Sequence, residues 1–149
     1  MNANVEYIYD TDFRLSNEDE HTAWLVRCAR THGLNSVDLA YAFMSDERLL
    51  ALNQTHLQHD TLTDILTFDD SIGLDIKANI AISIERVREN AQAFGETFAN
   101  ELLRVMAHGL LHCIGFDDTS EKKKNMMRKA EGACIKLFHV EHKSKKHVS

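Results

Sequence analysis

His108-Gly109-Leu110-Leu111-His112-Cys113-Ile114-Gly115-Phe116-Asp117-Asp118 reads as the end of a helix, the turn that stops it and a pair of acids beyond. Two imidazoles four positions apart stand one above the other on a helix face, with about 6 Å between their Cβ atoms, so both can reach one ion. Gly115 tolerates the positive φ with which a helix ends and lets the chain turn back. Asp118, three positions later, can close the triangle. Three protein ligands with an open position are the arrangement of a catalytic zinc site rather than a structural one. The other reading of His108 and His112, as half-buried histidines of an amphipathic helix, explains neither the glycine turn nor the acids after it. Asp117 is the candidate for orienting a histidine or accepting a proton from a bound water.

Gly109 stands where a helical zinc protease carries the glutamate that activates water, which disfavours peptide hydrolysis. A glycine inside a helix costs about 1 kcal/mol against alanine, so a close approach of backbone, metal or substrate is expected there. The helix itself is capped by Thr97 and buries Phe98, Leu102, Val105 and Met106. Its histidines lie at the end where the helix dipole favours a cation.

This stretch resembles the YbeY family of bacterial endoribonucleases, whose pattern is His-Gly-x-Leu-His-x-x-Gly-Tyr-Asp-His; residues 108 to 118 follow it except at Phe116 and Asp118. Leu52-Asn53-Gln54 and Thr63-Asp64-Ile65-Leu66-Thr67-Phe68 are similar to two further family segments, and Ile80 to Glu89 to its strand and following helix, so the likeness spans roughly residues 35 to 137. The resemblance implies a single-strand-specific, metal-dependent endoribonuclease with one zinc ion, acting in ribosomal RNA maturation and quality control at the 3′ end of 16S rRNA. Ribosomal RNA and the small ribosomal subunit would be its partners, with no small-molecule cofactor. Where the family has a third histidine this chain has Asp118, where it has an arginine Leu57, and where it has Gly-Asp before a strand Ala78-Asn79. An anionic ligand lowers the net charge of a zinc site from +2 to +1, weakens its pull on water and suits other divalent transition metals as well. Loss of the arginine removes a phosphate contact, which His56 or His59 can replace if they are not simply loop residues. A ribosome-associated RNA-binding factor with weakened chemistry is therefore the alternative function.

Charge is unevenly placed within the total of −6: residues 120 to 149 hold nine Lys or Arg against three Asp or Glu, and the remainder eight against twenty. Lys122, Lys123, Lys124, Arg128 and Lys129, on the first turns of the last helix, are candidate contacts to a phosphate backbone, since such contacts are electrostatic and need no base reading. The other reading is a solvated helix face. Residues 139–149 are expected to form a basic, mobile tail with solvated histidines. Three cysteines without CxxC spacing point to reduced thiols, with Cys113 packed in the core. No apolar run approaches the roughly 20 residues that cross a bilayer, and no signal peptide is readable, so a cytoplasmic protein with no membrane partner is expected.

The 149 residues fit a single domain of about 1–138. Val5 to Tyr9 reads as a strand, and Ser16 as the cap of a helix running to Gly33 with Trp24, Leu25 and Cys28 inward. Val37, Leu39, Tyr41 and Phe43 alternate as a half-buried strand. Ser45 caps a helix with Leu49, Leu50 and Leu52 on its apolar side. Short strands at Ile65 to Phe68 and Asn79 to Ser83 flank an acidic loop, Asp69 to Lys77. A helix from Ile84 to Phe94 turns Ile84, Val87, Ala91 and Phe94 inward and ends at Gly95. The last, Ser120 to Phe138, packs Met127, Ala130, Cys134 and Leu137, with Met126 beside Met127 as core filler. The sum is an α+β domain: about five helices on a mixed sheet of about four strands, with the metal site at the C-terminal end of a central helix.

Overall fold

The computed structural model describes residues 1–57 and 63–147, giving the backbone alone at 56–57 and 141–147. Its elements in chain order are β1 (Asn2–Tyr9), α1 (Glu18–Thr31), β2 (Ser36–Met44), α2 (Asp46–Leu57), β3 (Ile65–Asp69), β4 (Asp75–Ser83), α3 (Ile84–Phe94), α4 (Phe98–Ile114) and α5 (Glu121–His147). The sheet order is β1-β2-β4-β3; β1, β2 and β4 run parallel and β3 is antiparallel to β4 at the edge. This is the expected α+β domain with a four-stranded mixed sheet and five helices. None of the described helices is long and apolar enough to cross a membrane.

Alternation along β2 and β4 explains how the sheet divides the apolar residues. Val37, Leu39, Tyr41 and Phe43 from β2 join Ile76, Ala78, Ile80 and Ile82 from β4 in one large core, closed by α1, α4 and α5 through Trp24, Leu25, Met106, Leu110 and Met127. A small cluster on Met44, Leu49, Leu66 and Ala81 lies on the opposite parity of the strands, with α2. Two buried hydrogen bonds tie the helices to the sheet and to each other. The Tyr41 hydroxyl donates to the Met106 carbonyl at 2.8 Å, and the Trp24 indole N–H to the Cys134 carbonyl at 2.7 Å. Each gives an aromatic residue the polar partner its burial demands.

Several boundaries differ from the sequence expectation. Asn17, not Ser16, caps α1, its Oδ1 accepting from Glu20 N at 3.0 Å. The loop expected over Asp69 to Lys77 shrinks to a tight connection, because β4 starts at Asp75 and pairs with β2 from Ser36↔Asp75 onward. Central pairing of this kind overrides polar composition. Phe94 is 66% exposed, as the last residue before the left-handed Gly95, where α3 has left the core. Met126 is also exposed while Met127 is buried, since neighbours 100° apart on a helix cannot share one narrow stripe. The backbone of α5 continues to His147, past the expected end at Phe138.

Candidate metal centre on helix α4

Helix α4 begins at the cap Thr97, whose side chain accepts from Asn100 N, and runs 17 residues through the middle of the molecule. Gly109 is explained by its position against the sheet. A Cβ there would lie 2.9 Å from Ile80 Cδ1, 3.1 Å from Ile80 Cγ2 and 3.2 Å from Ile65 Cδ1. The glycine thus lets the metal-motif helix sit directly on β3 and β4, which fixes the height of His108 beside it. Gly115 ends the helix at φ 119, its N–H bonding to the Leu111 and His112 carbonyls, and the Phe116 N–H also reaches Leu111 O at 3.1 Å. The chain is turned back as the sequence implied.

Arg104, His108 and His112 follow one another at four-residue intervals along α4 and so share a face. His108 is partly buried, and its Nδ1 lies 2.7 Å from Glu131 Oε2 on α5. A carboxylate only accepts, so Nδ1 is the nitrogen that donates, and in the neutral ring Nε2 keeps its lone pair for another partner. This is the arrangement in which a metal-ligating histidine is usually held. Glu131 is 3% exposed. Arg104 joins the group: Nε and Nη2 grip Glu101 at 2.9 and 2.6 Å, Nη1 lies 3.4 Å from Glu131 Oε1 and Nη2 3.7 Å from Asp64 Oδ2. The hydrogen bonds it donates to Glu101, against the opposing effect of burial, hold the guanidinium pKa above its ordinary value. Burial pushes the Asp64 carboxyl above the usual range, with Arg104 pulling the other way. Glu101, Glu131 and Asp64 thus gather around Arg104 beside His108.

His112 is exposed at the last turn, and Asp118 is exposed beyond Gly115. Among the described residues no three His, Cys, Asp or Glu side chains are gathered as a metal site. His108 and His112 share a face, and Asp118 follows in the turn beyond Gly115. The donor chemistry of the imidazole pair fits a divalent ion, and Asp118 is the ligand that would complete the set. Asp117 is engaged in shaping the turn. Its Oδ1 accepts from Thr119 N at 3.1 Å and Thr119 Oγ1 at 2.8 Å, and its Oδ2 lies 3.4 Å from Lys123 Nζ. The bonds from Thr119 first, and Lys123 after them, hold its carboxyl below the usual range. Cys113 packs against the core as expected, its thiol pushed up to about 12 by burial first and Asp69 second.

Lys122, Lys123, Lys124, Arg128 and Lys129 are all exposed on α5. Helical spacing sets Lys124 with Arg128 on one flank of the buried Met127 and Lys122 with Lys129 on the other. A cavity of about 390 Å³ beside the turn is lined by Ile114, Gly115, Phe116, Asp117, Lys123 and Met126. A cleft of about 520 Å³ runs along Glu101, Arg104, Arg128 and Glu131. Of the proposed arginine substitutes, His59 lies outside the described residues, as does the side chain of His56. The ion-pair group of Glu101, Arg104 and Glu131 was missed in the sequence, although a signal exists: Glu131 interrupts the apolar stripe Met127, Ala130, Cys134, and Glu101 falls among the buried leucines of α4. A charge on a core stripe asks for a buried partner.

The family model for endoribonuclease YbeY matches residues 9–139. The chain is 42% identical over 137 residues to endoribonuclease YbeY of Flavobacterium johnsoniae, covering 92% of this chain and 99% of that one. It is 44% identical over 129 residues to endoribonuclease YbeY of Cytophaga hutchinsonii, covering 86% and 90%. The fold is shared with a Thermotoga maritima protein solved in solution, at a TM-score of 0.71 and 24% identity over 95% of this chain and 93% of that one. With a match that runs from the end of β1 through most of α5 and takes in the imidazole pair, the chain belongs to the YbeY family of endoribonucleases.

Proposed function

We propose that the protein is a metal-dependent endoribonuclease that cleaves single-stranded RNA during ribosomal RNA maturation, at the 3′ end of 16S rRNA on the small ribosomal subunit, in the cytoplasm. The observation that carries the metal reading is the bond between His108 Nδ1 and Glu131, which frees Nε2 on the face shared with His112. His108, His112 and Asp118 would hold one zinc or a related divalent ion. Such an ion polarises a phosphodiester oxygen and lowers the pKa of a bound water. Lys122, Lys123, Lys124, Arg128 and Lys129 would hold the RNA backbone without reading sequence.

Elemental analysis of protein purified without chelator or affinity tag, beside His108→Ala and Asp118→Ala, tests the site. About one equivalent of transition metal per chain, lost in both variants, is the expected result. Retention in the Asp118 variant would remove Asp118 from the ligand set. A parent that holds no metal and takes up none from added zinc overturns the hydrolase reading. The second reading, an RNA-binding factor with weakened chemistry, follows from Asp118 and Leu57 standing where the family has a histidine and an arginine. Asp118→His with Leu57→Arg separates the two on cleavage of a single-stranded 16S 3′-end fragment: a working enzyme gains little, a degenerate one gains strongly.

A further inference from the structure

Glu131 is a carboxylate on the inner face of α5, between the buried Met127 and Cys134, and only 3% exposed. Burying a charged carboxylate costs several kcal/mol unless it is paired and hydrogen-bonded. Its two oxygens are divided between two residues of α4: Oε2 meets His108 Nδ1 at 2.7 Å, and Oε1 lies 3.4 Å from Arg104 Nη1. Arg104 is itself held in a two-point grip by Glu101, one turn back on the same helix. Glu101, Arg104, Glu131 and His108 therefore form a continuous chain that leaves α4, passes through α5 and returns.

We infer that Glu131 is a positioning residue, which selects the Nδ1–H form of His108 and aims its Nε2 out of the α4 face toward the place where a divalent ion binds. The inference rests on the proposed metal-dependent function for its consequence, but the ring state itself exists without metal. A histidine ligates through an unprotonated nitrogen, so a carboxylate that claims the proton for Nδ1 prepares Nε2 before any ion arrives. Arg104 supplies what a lone glutamate on an apolar stripe lacks: a second bond that stops the carboxylate from rotating away. The backbone of α4 brings His108 to the site, and α5 decides which way its ring faces. Glu131→Gln keeps the shape but offers an amide that can donate as well as accept. Glu131→Asp keeps the charge but withdraws it by one methylene.

The test has two readouts. Nitrogen-15 correlation spectra of the metal-free parent at pH 8 should show His108 protonated at Nδ1; both variants should show a mixture of the two forms. Chelator competition should show zinc held 10- to 100-fold more weakly by both variants. If both variants keep the pure Nδ1–H form, or bind zinc within twofold of the parent, the inference is overturned. If Glu131→Asp alone behaves as the parent, net charge and not the hydrogen bond is what His108 requires, and the positioning role falls. Should the parent itself bind no zinc, the proposed function falls, while the spectra still decide the role of Glu131.

Discussion

His108 and Asp118 are both candidate ligands, and they occupy opposite physical situations. His108 is partly buried on a helix pressed against the sheet and fixed by a carboxylate from a second helix. Asp118 is exposed in the turn after Gly115, where Asp117 beside it is committed to Thr119 and Lys123. One half of the site is built by the fold and the other is left to the loop. The difference teaches that an ion here would meet an imidazole face prepared by packing and take its third ligand from the turn, so the packed half would set where the ion sits and the turn would complete its ligand set.

The strongest way to break this comparison is to attack the packed half at Arg104. The guanidinium faces Glu101 at 2% exposure, Glu131 at 3% and the partly buried Asp64. Removing one partner of a buried ion pair leaves uncompensated charge and costs about 3 to 5 kcal/mol. Arg104 is 32% exposed, so solvent screens part of that charge. Arg104→Met is expected to lower stability by about 3 kcal/mol, at the low end of that range. The urea midpoint should fall with an unchanged denaturant slope. A loss below about 1 kcal/mol would mean that the group is bound as loosely as a surface pair.

Next in size is the seat of α4 on the sheet. Gly109→Ala pushes a methyl into Ile80 and Ile65, and overpacking of a tight core costs about 1 to 3 kcal/mol, partly offset by about 1 kcal/mol of helix propensity. Gly132, in the exposed middle of α5, would place a Cβ with nothing within 4 Å of it. Gly132→Ala is expected to raise stability by about 0.5 to 1 kcal/mol. Opposite signs for the two glycines in parallel urea melts would sharpen the comparison; equal signs would place the α4 to β4 contact in doubt.

What could be read in the sequence follows the same division. Local signals were sufficient where a single element decides: the caps Thr97 and Gly115, the α3 span ending at Gly95, and the alternation of β2 all appear where expected. They failed where pairing or packing between distant segments decides. Residues Asp75 to Lys77 look like loop yet are strand because β2 lies alongside. Glu131 stands out only as a charge on an apolar stripe, and its partners cannot be named from sequence because they stand 23 and 27 residues earlier, on another helix. The shared helix face of His108 and His112 was legible from their spacing, while the position of Asp118 depends on a turn whose geometry no spacing specifies.

The smallest expected effect lies in the turn. The carboxyl of Asp117 is held below the usual aspartate range by bonds from Thr119 and then Lys123. A group with a depressed folded pKa contributes stability that is fully present above its unfolded value and is lost as pH falls through the folded one. Asp117→Asn is therefore expected to lower the melting temperature slightly near pH 7 and to flatten the acid limb of the melting profile below about pH 4. The same variant separates two roles. A general base contributes typically 10²- to 10⁴-fold to rate, whereas a residue that shapes a turn and faces no substrate costs far less when its geometry is kept. With both oxygens already engaged, Asp117→Asn should retain cleavage of single-stranded RNA to within tenfold and keep its zinc. A loss of 10²-fold or more at unchanged zinc content would instead make Asp117 the proton acceptor, and the turn would prove to be the chemically active half of the site.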